Sequence, residues 1–103
     1  MSTSRPDPAI RPSAAHAAEA ELLARVRAGE PGLFDPLLRP HVPALLALAR
    51  RLAGPQWAED LLQEVLIRAY RGLPGFRGES SLRTWLFRIT SLLASEPFRW
   101  RRL

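Results

Sequence analysis

The sequence contains no cysteine and no lysine, and only two of its 103 residues are histidine. The absence of cysteine excludes disulfides, thiolate metal sites and cysteine nucleophiles. Neither His16 nor His41 has a second metal ligand at helical spacing, so we expect no metal site and no cofactor. A nucleophile–base pair and a phosphate-binding loop are also missing. The sequence therefore predicts a protein that is not an enzyme and has no catalytic residues.

Long hydrophobic runs are missing as well. No stretch of about 18 apolar residues occurs, so no transmembrane helix is predicted. The N-terminus lacks the unbroken apolar segment of a signal peptide. We therefore expect a cytoplasmic protein without a membrane partner. An apolar share of 47% nevertheless predicts a folded core, and 103 residues suit one small domain.

Charge is distributed unevenly along the chain. The formal net charge is +5, and the residues from Arg68 onward carry eight arginines against two glutamates, whereas the part before Arg68 is nearly neutral. A neutral first part joined to a basic last part predicts two surfaces with different partners. Charge alone does not distinguish nucleic-acid binding from a role in solubility.

Helical periodicity extends from Ala18 onward, and no segment alternates with a period of two residues. We expect an all-α fold, a compact bundle of about four helices over residues 18–97. Residues 1–17 are rich in proline, serine and alanine and are predicted to be a disordered leader. Residues 98–103 form a basic aromatic tail after Pro97, which is predicted to kink or end the last helix.

Three prolines interrupt the apolar pattern of residues 33–52, namely Pro36, Pro40 and Pro43. A proline inside a helix removes a backbone hydrogen bond and costs about 3 kcal/mol. The sequence therefore predicts two shorter helices here, the second beginning near Pro43, or one sharply kinked helix.

Two further helices have clear apolar sides. The first spans residues 56–72 and ends at Gly72; its apolar side is Ala58, Leu61, Leu62, Val65, Leu66, Ala69 and Tyr70. The second is capped by Ser80 or Ser81, either of which can accept a hydrogen bond from a free backbone N–H. Its apolar face has a three-four repeat and comprises Leu82, Trp85, Leu86, Ile89, Leu92 and Leu93.

The helix of residues 56–72 has a second stripe beside its apolar side. The residues of this polar stripe share one face because they lie at i, i+3, i+4 and i+7: Asp60, Gln63, Glu64 and Ile67. A solvated helix surface is the ordinary interpretation. The isoleucine favours a docking surface, because an exposed branched side chain gains from burial against a partner.

The loop after this helix and the start of the last helix form a second candidate surface, the basic segment of residues 76–88. Its arginines can contact phosphates, its hydroxyl groups can hydrogen-bond phosphates or base edges, and its rings can stack on bases. The candidate residues are Phe76, Arg77, Ser80, Ser81, Arg83, Thr84, Phe87 and Arg88. The alternative places Phe76 and Trp85 in the core, which we favour for Trp85, whereas Phe87 lies off the apolar face.

Residues 58–89 resemble regions 2.2 to 2.4 of bacterial sigma-70 family factors of the extracytoplasmic-function group; they read AEDLLQEVLIRAYRGLPGFRGESSLRTWLFRI. The similarity lies in Asp60-x-x-Gln63-Glu64-Val65, in Arg68-Ala-Tyr and in Phe76-Arg-Gly with Thr84-Trp-Leu86. Residues 21–54 resemble region 2.1, so that the resemblance extends from about residue 20 to residue 95.

The resemblance implies a region 2 domain that binds core RNA polymerase and recognises and melts the promoter −10 element. The clamp helices of the polymerase β′ subunit would bind the polar stripe, Asp60, Gln63, Glu64 and Ile67. The basic segment would engage the −10 element, and a loop pocket at roughly residues 74–81 would hold a flipped base of the non-template strand. An anti-sigma factor is a further partner in this interpretation.

Three departures from the family pattern keep an alternative open. The sequence stops at Leu103, so we expect no counterpart of the family's second DNA-binding domain. Leu92 stands near a position where the pattern usually has asparagine, and Pro36 and Pro40 lie where it usually has helix. The leading hypothesis is a sigma-like initiation domain. The alternatives are a truncated relative that binds polymerase or an anti-sigma factor without initiating transcription, and a fragment with no activity of its own.

Overall fold

The structure is a computed structural model that describes residues 14–96. Five α-helices occupy this range: α1 (Ala14–Arg27), α2 (Phe34–Leu38), α3 (Val42–Ala53), α4 (Ala58–Gly72) and α5 (Leu82–Ala94). Short 3-10 turns follow α2 at Arg39–His41 and α4 at Leu73–Gly75. No strand occurs among the described residues, and the predicted all-α fold is confirmed.

The segments predicted on either side of the domain lie largely outside the described range. Most of the predicted leader, residues 1–13, and the predicted tail, residues 98–103, belong to the part of the chain that is not described, as does Pro97. Helix α1 begins at Ala14, four residues before the predicted start at Ala18.

The core is formed mainly by α3, α4 and α5, each of which packs against the other two. Helix α4 contributes a buried residue every three or four positions, which is the spacing that keeps side chains on one face of a helix. These residues are Ala58, Leu61, Val65 and Ala69. Helices α3 and α5 add Leu45, Ala49, Leu82, Leu86 and Leu93. Burial of each leucine or valine side chain contributes roughly 1.5–3 kcal/mol of transfer free energy.

The proline-rich region forms two short helices, as predicted. Helix α2 ends at Leu38, and α3 starts at Val42 after a single 3-10 turn. Pro36 and Pro43 lie in the first turns of α2 and α3, where the backbone N–H groups have no partner within the helix. The prolines therefore set the helix boundaries and remove no hydrogen bond from a helix interior.

Helix α5 is capped by Ser81, one of the two predicted serines. The Ser81 hydroxyl oxygen accepts a hydrogen bond from the Thr84 backbone N–H at 3.0 Å and donates one to Thr84 Oγ1 at 2.9 Å. Ser80 instead donates to the Ser81 carbonyl at 3.1 Å. Inside the helix, the buried Thr90 hydroxyl donates to the Leu86 carbonyl at 2.8 Å.

The predicted apolar sides of α4 and α5 are too wide by one residue each. Leu92 is 64% exposed and Tyr70 is 58% exposed. Each lies directly beside a fully buried neighbour, Leu93 and Ala69, and successive helical residues are rotated by about 100°. The Tyr70 ring rests on Phe34 of α2, with centroids 4.1 Å apart, and so stays at the surface.

Helix α1 is attached through few apolar side chains. Only Val26 is buried among its described side chains, while Leu22 and Leu23 are half-buried. Polar contacts supplement this packing. Glu19 Oε2 lies 2.5 Å from Nε2 of His41, whose side chain is buried. At the end of the helix, Arg25 pairs with Glu30 on the surface.

No helix within residues 14–96 is long and apolar enough to cross a bilayer. In the same range, no group of three or more acidic or histidine side chains is arranged to hold a metal ion.

Candidate functional site

The polar stripe lies on the face of α4 opposite the core. Asp60, Gln63 and Ile67 are exposed, and Glu64 is partly exposed. Ile67 is 46% exposed, although isoleucine is among the residues most often buried. The structure therefore presents an apolar side chain next to two carboxylates on one continuous surface.

The acidic end of α4 also has a local structural role. Trp57 at the N-cap position makes no side-chain hydrogen bond to the free backbone N–H groups. Glu59 and Asp60 lie in the first turn, where carboxylates interact favourably with the positive end of the helix dipole. A substitution at either position therefore has a small effect on the helix that must be separated from any effect on docking.

An apolar surface, which was not predicted from the sequence, adjoins the polar stripe. Phe34 and Tyr70 are in tilted contact here and line a cavity with a volume of about 490 Å³, within the roughly 300–1,000 Å³ typical of ligand sites. Leu38, Val42 and Leu66 complete the apolar lining. Tyr70 follows Ile67 by three residues, a spacing that would have placed it beside the stripe.

A second cavity lies between the end of α4 and the start of α5. Its volume is about 390 Å³, within the roughly 300–1,000 Å³ typical of ligand sites. The residues that line this α4–α5 cavity come from the end of α4, the following loop and the first two turns of α5: Gly72, Gly75, Phe76, Arg77, Glu79, Ser80, Trp85 and Arg88. The lining overlaps the loop predicted to form a pocket, residues 74–81.

The wall of this cavity is built from two rings and a glycine. Phe76 and Trp85 are in tilted contact, with centroids 5.0 Å apart and an interplanar angle of 39°. A Cβ at Gly72 would lie 3.3 Å from Trp85 Cζ2, so the glycine allows the indole to approach the end of α4 closely. Trp85 is half-buried and thus combines packing with a place at the cavity wall.

The three rings of the basic segment differ in how far they are buried. Phe76 is only 6% exposed, so its ring belongs to the core and has little surface for stacking on a base. Phe87, predicted to lie off the apolar face, is half-buried and packs against the core cluster. Trp85 is half-buried, packs against the core cluster as expected, and also lines the cavity.

The polar residues of the basic segment fall into three places. Arg77, Ser80 and Arg88 line the α4–α5 cavity, together with Glu79. Arg83 is exposed and lines a separate cleft with Glu19 of α1 and His41 of the turn after α2. Ser81 and Thr84 are exposed but hydrogen-bonded to each other in the helix cap. The cavity thus gathers some of the predicted residues and leaves Arg83 outside.

A contact from α1 supports the loop at this cavity. Arg27 donates from Nε and Nη2 to the Phe76 carbonyl, at 2.8 Å and 2.6 Å. The two residues are 49 positions apart, and no periodic pattern in the sequence relates them. A Cβ at Gly78, which has φ +78°, would lie 3.7 Å from Arg27 Nη2, so the guanidinium also covers the turn of the loop.

The protein-family model described as Sigma-70 region 2 matches residues 37–102, which is more than half of the chain. The chain therefore belongs to the sigma-70 region 2 family, and the resemblance seen in residues 58–89 is confirmed.

Named relatives agree with this assignment. The chain is 41% identical over 70 residues to the RNA polymerase sigma-H factor of Pseudomonas aeruginosa and 47% identical over 76 residues to the ECF RNA polymerase sigma factor SigG of Mycobacterium tuberculosis. It is 37% identical over 68 residues to the ECF RNA polymerase sigma-E factor of Escherichia coli.

These similarities cover most of the chain but a smaller part of each relative. They span 67%, 70% and 66% of this chain, and 36%, 20% and 36% of the three relatives in the same order. No solved structure matches the chain with significance.

Proposed function

We propose that this chain is a sigma-like transcription-initiation domain that works in the cytoplasm, binds core RNA polymerase and recognises and melts the promoter −10 element. The observation that carries the proposal is the α4–α5 cavity, which is bordered by exposed arginines in a chain of the sigma-70 region 2 family. The polar stripe lies on the same helix that ends at this cavity, so one rigid element would connect polymerase to promoter DNA.

Docking on polymerase is assigned to the polar stripe, Asp60, Gln63, Glu64 and Ile67. The occupant is the clamp-helix coiled coil of the β′ subunit. Ile67, at the end of the stripe, would supply an apolar contact, since 46% of its area is exposed in the free domain. The carboxylates would pair with basic side chains of the coiled coil, which favours correct orientation and fast association.

Promoter contact is assigned to the basic segment and the α4–α5 cavity. A flipped base of the non-template strand would enter the cavity and stack on Trp85. Arg77 and Arg88 at the cavity would contact the adjacent phosphates. Extrusion of a base costs a few kcal/mol, and stacking on an aromatic side chain contributes about 1–3 kcal/mol per base. The two terms are similar, so the phosphate contacts decide whether the open strand is held.

One observation favours a second function. Leu92 is 64% exposed on α5 and presents methyl groups on the helix that would face DNA. A leucine offers no hydrogen bond to a base edge, which limits direct readout to apolar contact with a thymine methyl group. The second candidate is accordingly a protein that binds polymerase or an anti-sigma factor without initiating transcription.

In vitro transcription with core polymerase and a promoter library separates the two functions. Transcripts that depend on this chain support initiation. Retention of the chain on polymerase without transcripts supports the second candidate. If the chain is neither retained nor able to direct transcripts, both assignments are wrong.

Removal of a phosphate contact is expected to change the salt dependence of DNA binding. For Arg77→Ala and Arg83→Ala, we expect weaker binding to a single-stranded −10 oligonucleotide and a slope of log K against log salt that is smaller by about 0.7 for each lost contact. Fluorescence anisotropy over a salt series measures both quantities. Arg51→Ala, at an exposed arginine of α3 away from the basic segment, serves as the control. An unchanged slope in both variants would remove the basic segment from the DNA surface.

A further inference from the structure

The loop that lines the α4–α5 cavity continues from Phe76, a residue that is held in place by several contacts. The Phe76 backbone N–H donates to the Leu73 carbonyl at 3.0 Å, and the ring is buried against Trp85. The Phe76 carbonyl is the other backbone group of this residue that makes a contact. The next four residues, 77–80, turn away from the core through Gly78 and supply Arg77, Glu79 and Ser80 to the cavity lining.

The carbonyl of Phe76 is held by α1 rather than by the loop itself. Two N–H groups of one guanidinium, that of Arg27, converge on this single oxygen at 2.8 Å and 2.6 Å. Hydrogen bonds from a charged donor are roughly twice as strong as neutral ones. A rotation of the Phe76 peptide would break both contacts and would redirect the backbone of residues 77–80. The contact therefore fixes the orientation in which the loop continues.

We infer that Arg27 of α1 is a positioning residue for the α4–α5 cavity, which it shapes by holding the Phe76 carbonyl and covering the turn at Gly78. The inference rests on the proposed function only for the identity of the ligand, which would be a nucleobase. Arg27 does not line the cavity, so its effect on the ligand passes through Phe76. Helix α1 would thus shape the binding site without contacting the ligand.

The chain offers a matched control on the same helix. Arg25 lies two residues before Arg27 and is also exposed, but its guanidinium pairs with Glu30. The hydrogen bond from Arg25 holds the pKa of Glu30 below its ordinary value. Arg27→Met and Arg25→Met remove the same charge and retain a similar apolar side chain.

The first measurement needs no DNA. In two-dimensional amide spectra of the ¹⁵N-labelled 103-residue chain, we expect Arg27→Met to shift the resonances of Gly75, Gly78 and the Trp85 indole. Arg25→Met is expected to leave these three signals in place. Far-UV circular dichroism checks that each variant retains its helices. If Arg27→Met does not fold, Arg27→Gln, which also removes the charge but keeps a polar side chain, replaces it in the same comparison.

The second measurement uses a single-stranded −10 oligonucleotide as the probe. We expect Arg27→Met to weaken its binding about tenfold, which corresponds to the loss of one charged hydrogen bond, with no change in the salt slope. Arg25→Met is expected to stay within about twofold, because an exposed ion pair contributes little. Arg27→Lys should recover part of the affinity.

Two results would overturn the inference. Unchanged resonances of Gly75, Gly78 and Trp85 in Arg27→Met would show that the contact does not shape the cavity. A salt slope that falls by about 0.7 would show that Arg27 contacts a phosphate directly. If the proposed function is wrong, the result differs from these two, because the unmodified chain would then not bind the oligonucleotide. In that case the spectra alone decide whether Arg27 positions the loop.

Discussion

Replacement of Leu61 by alanine is expected to lower the free energy of unfolding by about 3–5 kcal/mol. Leu61 has no exposed surface and lies on α4, the helix that packs against both α3 and α5. The truncated side chain would leave a cavity that the three helices cannot close without shifting from their packed positions. Domains of this size have a total stability of roughly 5–15 kcal/mol, so the variant would lose a large fraction of it.

Urea unfolding followed by far-UV circular dichroism measures this loss. The control is Leu92→Ala on α5, where the same atoms are removed from a side chain that is 64% exposed. A surface substitution of this kind changes stability by about 0.5 kcal/mol or less. Equal destabilisation of the two variants would contradict the packing described for α4.

Reversal of the charge at Asp60 is expected to weaken binding to core polymerase by about 30-fold or more. The estimate follows from the 2–5 kcal/mol that is lost when one partner of a buried charge pair is removed from an interface. In Asp60→Arg the new cation would also repel the basic side chains assigned to the clamp helices. The loss should appear mainly as faster dissociation if the pair is buried in the complex.

A neighbouring residue separates docking from helix stability. Glu59 lies in the same first turn of α4 as Asp60 and is also exposed, but it points to a different side of the helix. Glu59→Arg and Asp60→Arg therefore remove the same favourable interaction with the helix dipole. Biolayer interferometry with immobilised core polymerase compares their dissociation constants. If both variants lose affinity equally, the polar stripe is not the docking surface.

Much of the fold could be predicted from local patterns. The three-four spacing of apolar residues in α4 and α5 depends only on helix geometry, and the prolines mark the start of α3 because they exclude a helix interior. Errors occurred at the edges of the apolar faces. Leu92 and Tyr70 have apolar or aromatic side chains, but whether a residue at the edge of a face is buried depends on which neighbour covers it. That information is not local.

The candidate site was predictable only in part, because only some of it depends on local sequence. The polar stripe is a property of one helix and could be deduced from spacing, whereas the α4–α5 cavity depends on how two helices and a loop meet. The packing of Phe76 and Trp85 illustrates this difference. Both rings are plausible core residues in the sequence, and the structure shows that Phe76 is buried whereas Trp85 is half-buried at the cavity. The contact between Arg27 and Phe76 has no sequence signal at all.

Helix α1, which buries few apolar side chains, can detach without unfolding of the rest of the domain. Local opening of a segment requires less free energy than global unfolding when the segment buries few apolar side chains, and Val26 is the one described residue of α1 that is buried. A fraction of molecules with α1 detached would retain the intact unit of α3, α4 and α5 and would still display the polar stripe. Such molecules could occupy polymerase while their α4–α5 cavity has lost the support of Arg27. The competence of the domain for promoter contact would then depend on the population of this partly opened state rather than on its overall stability.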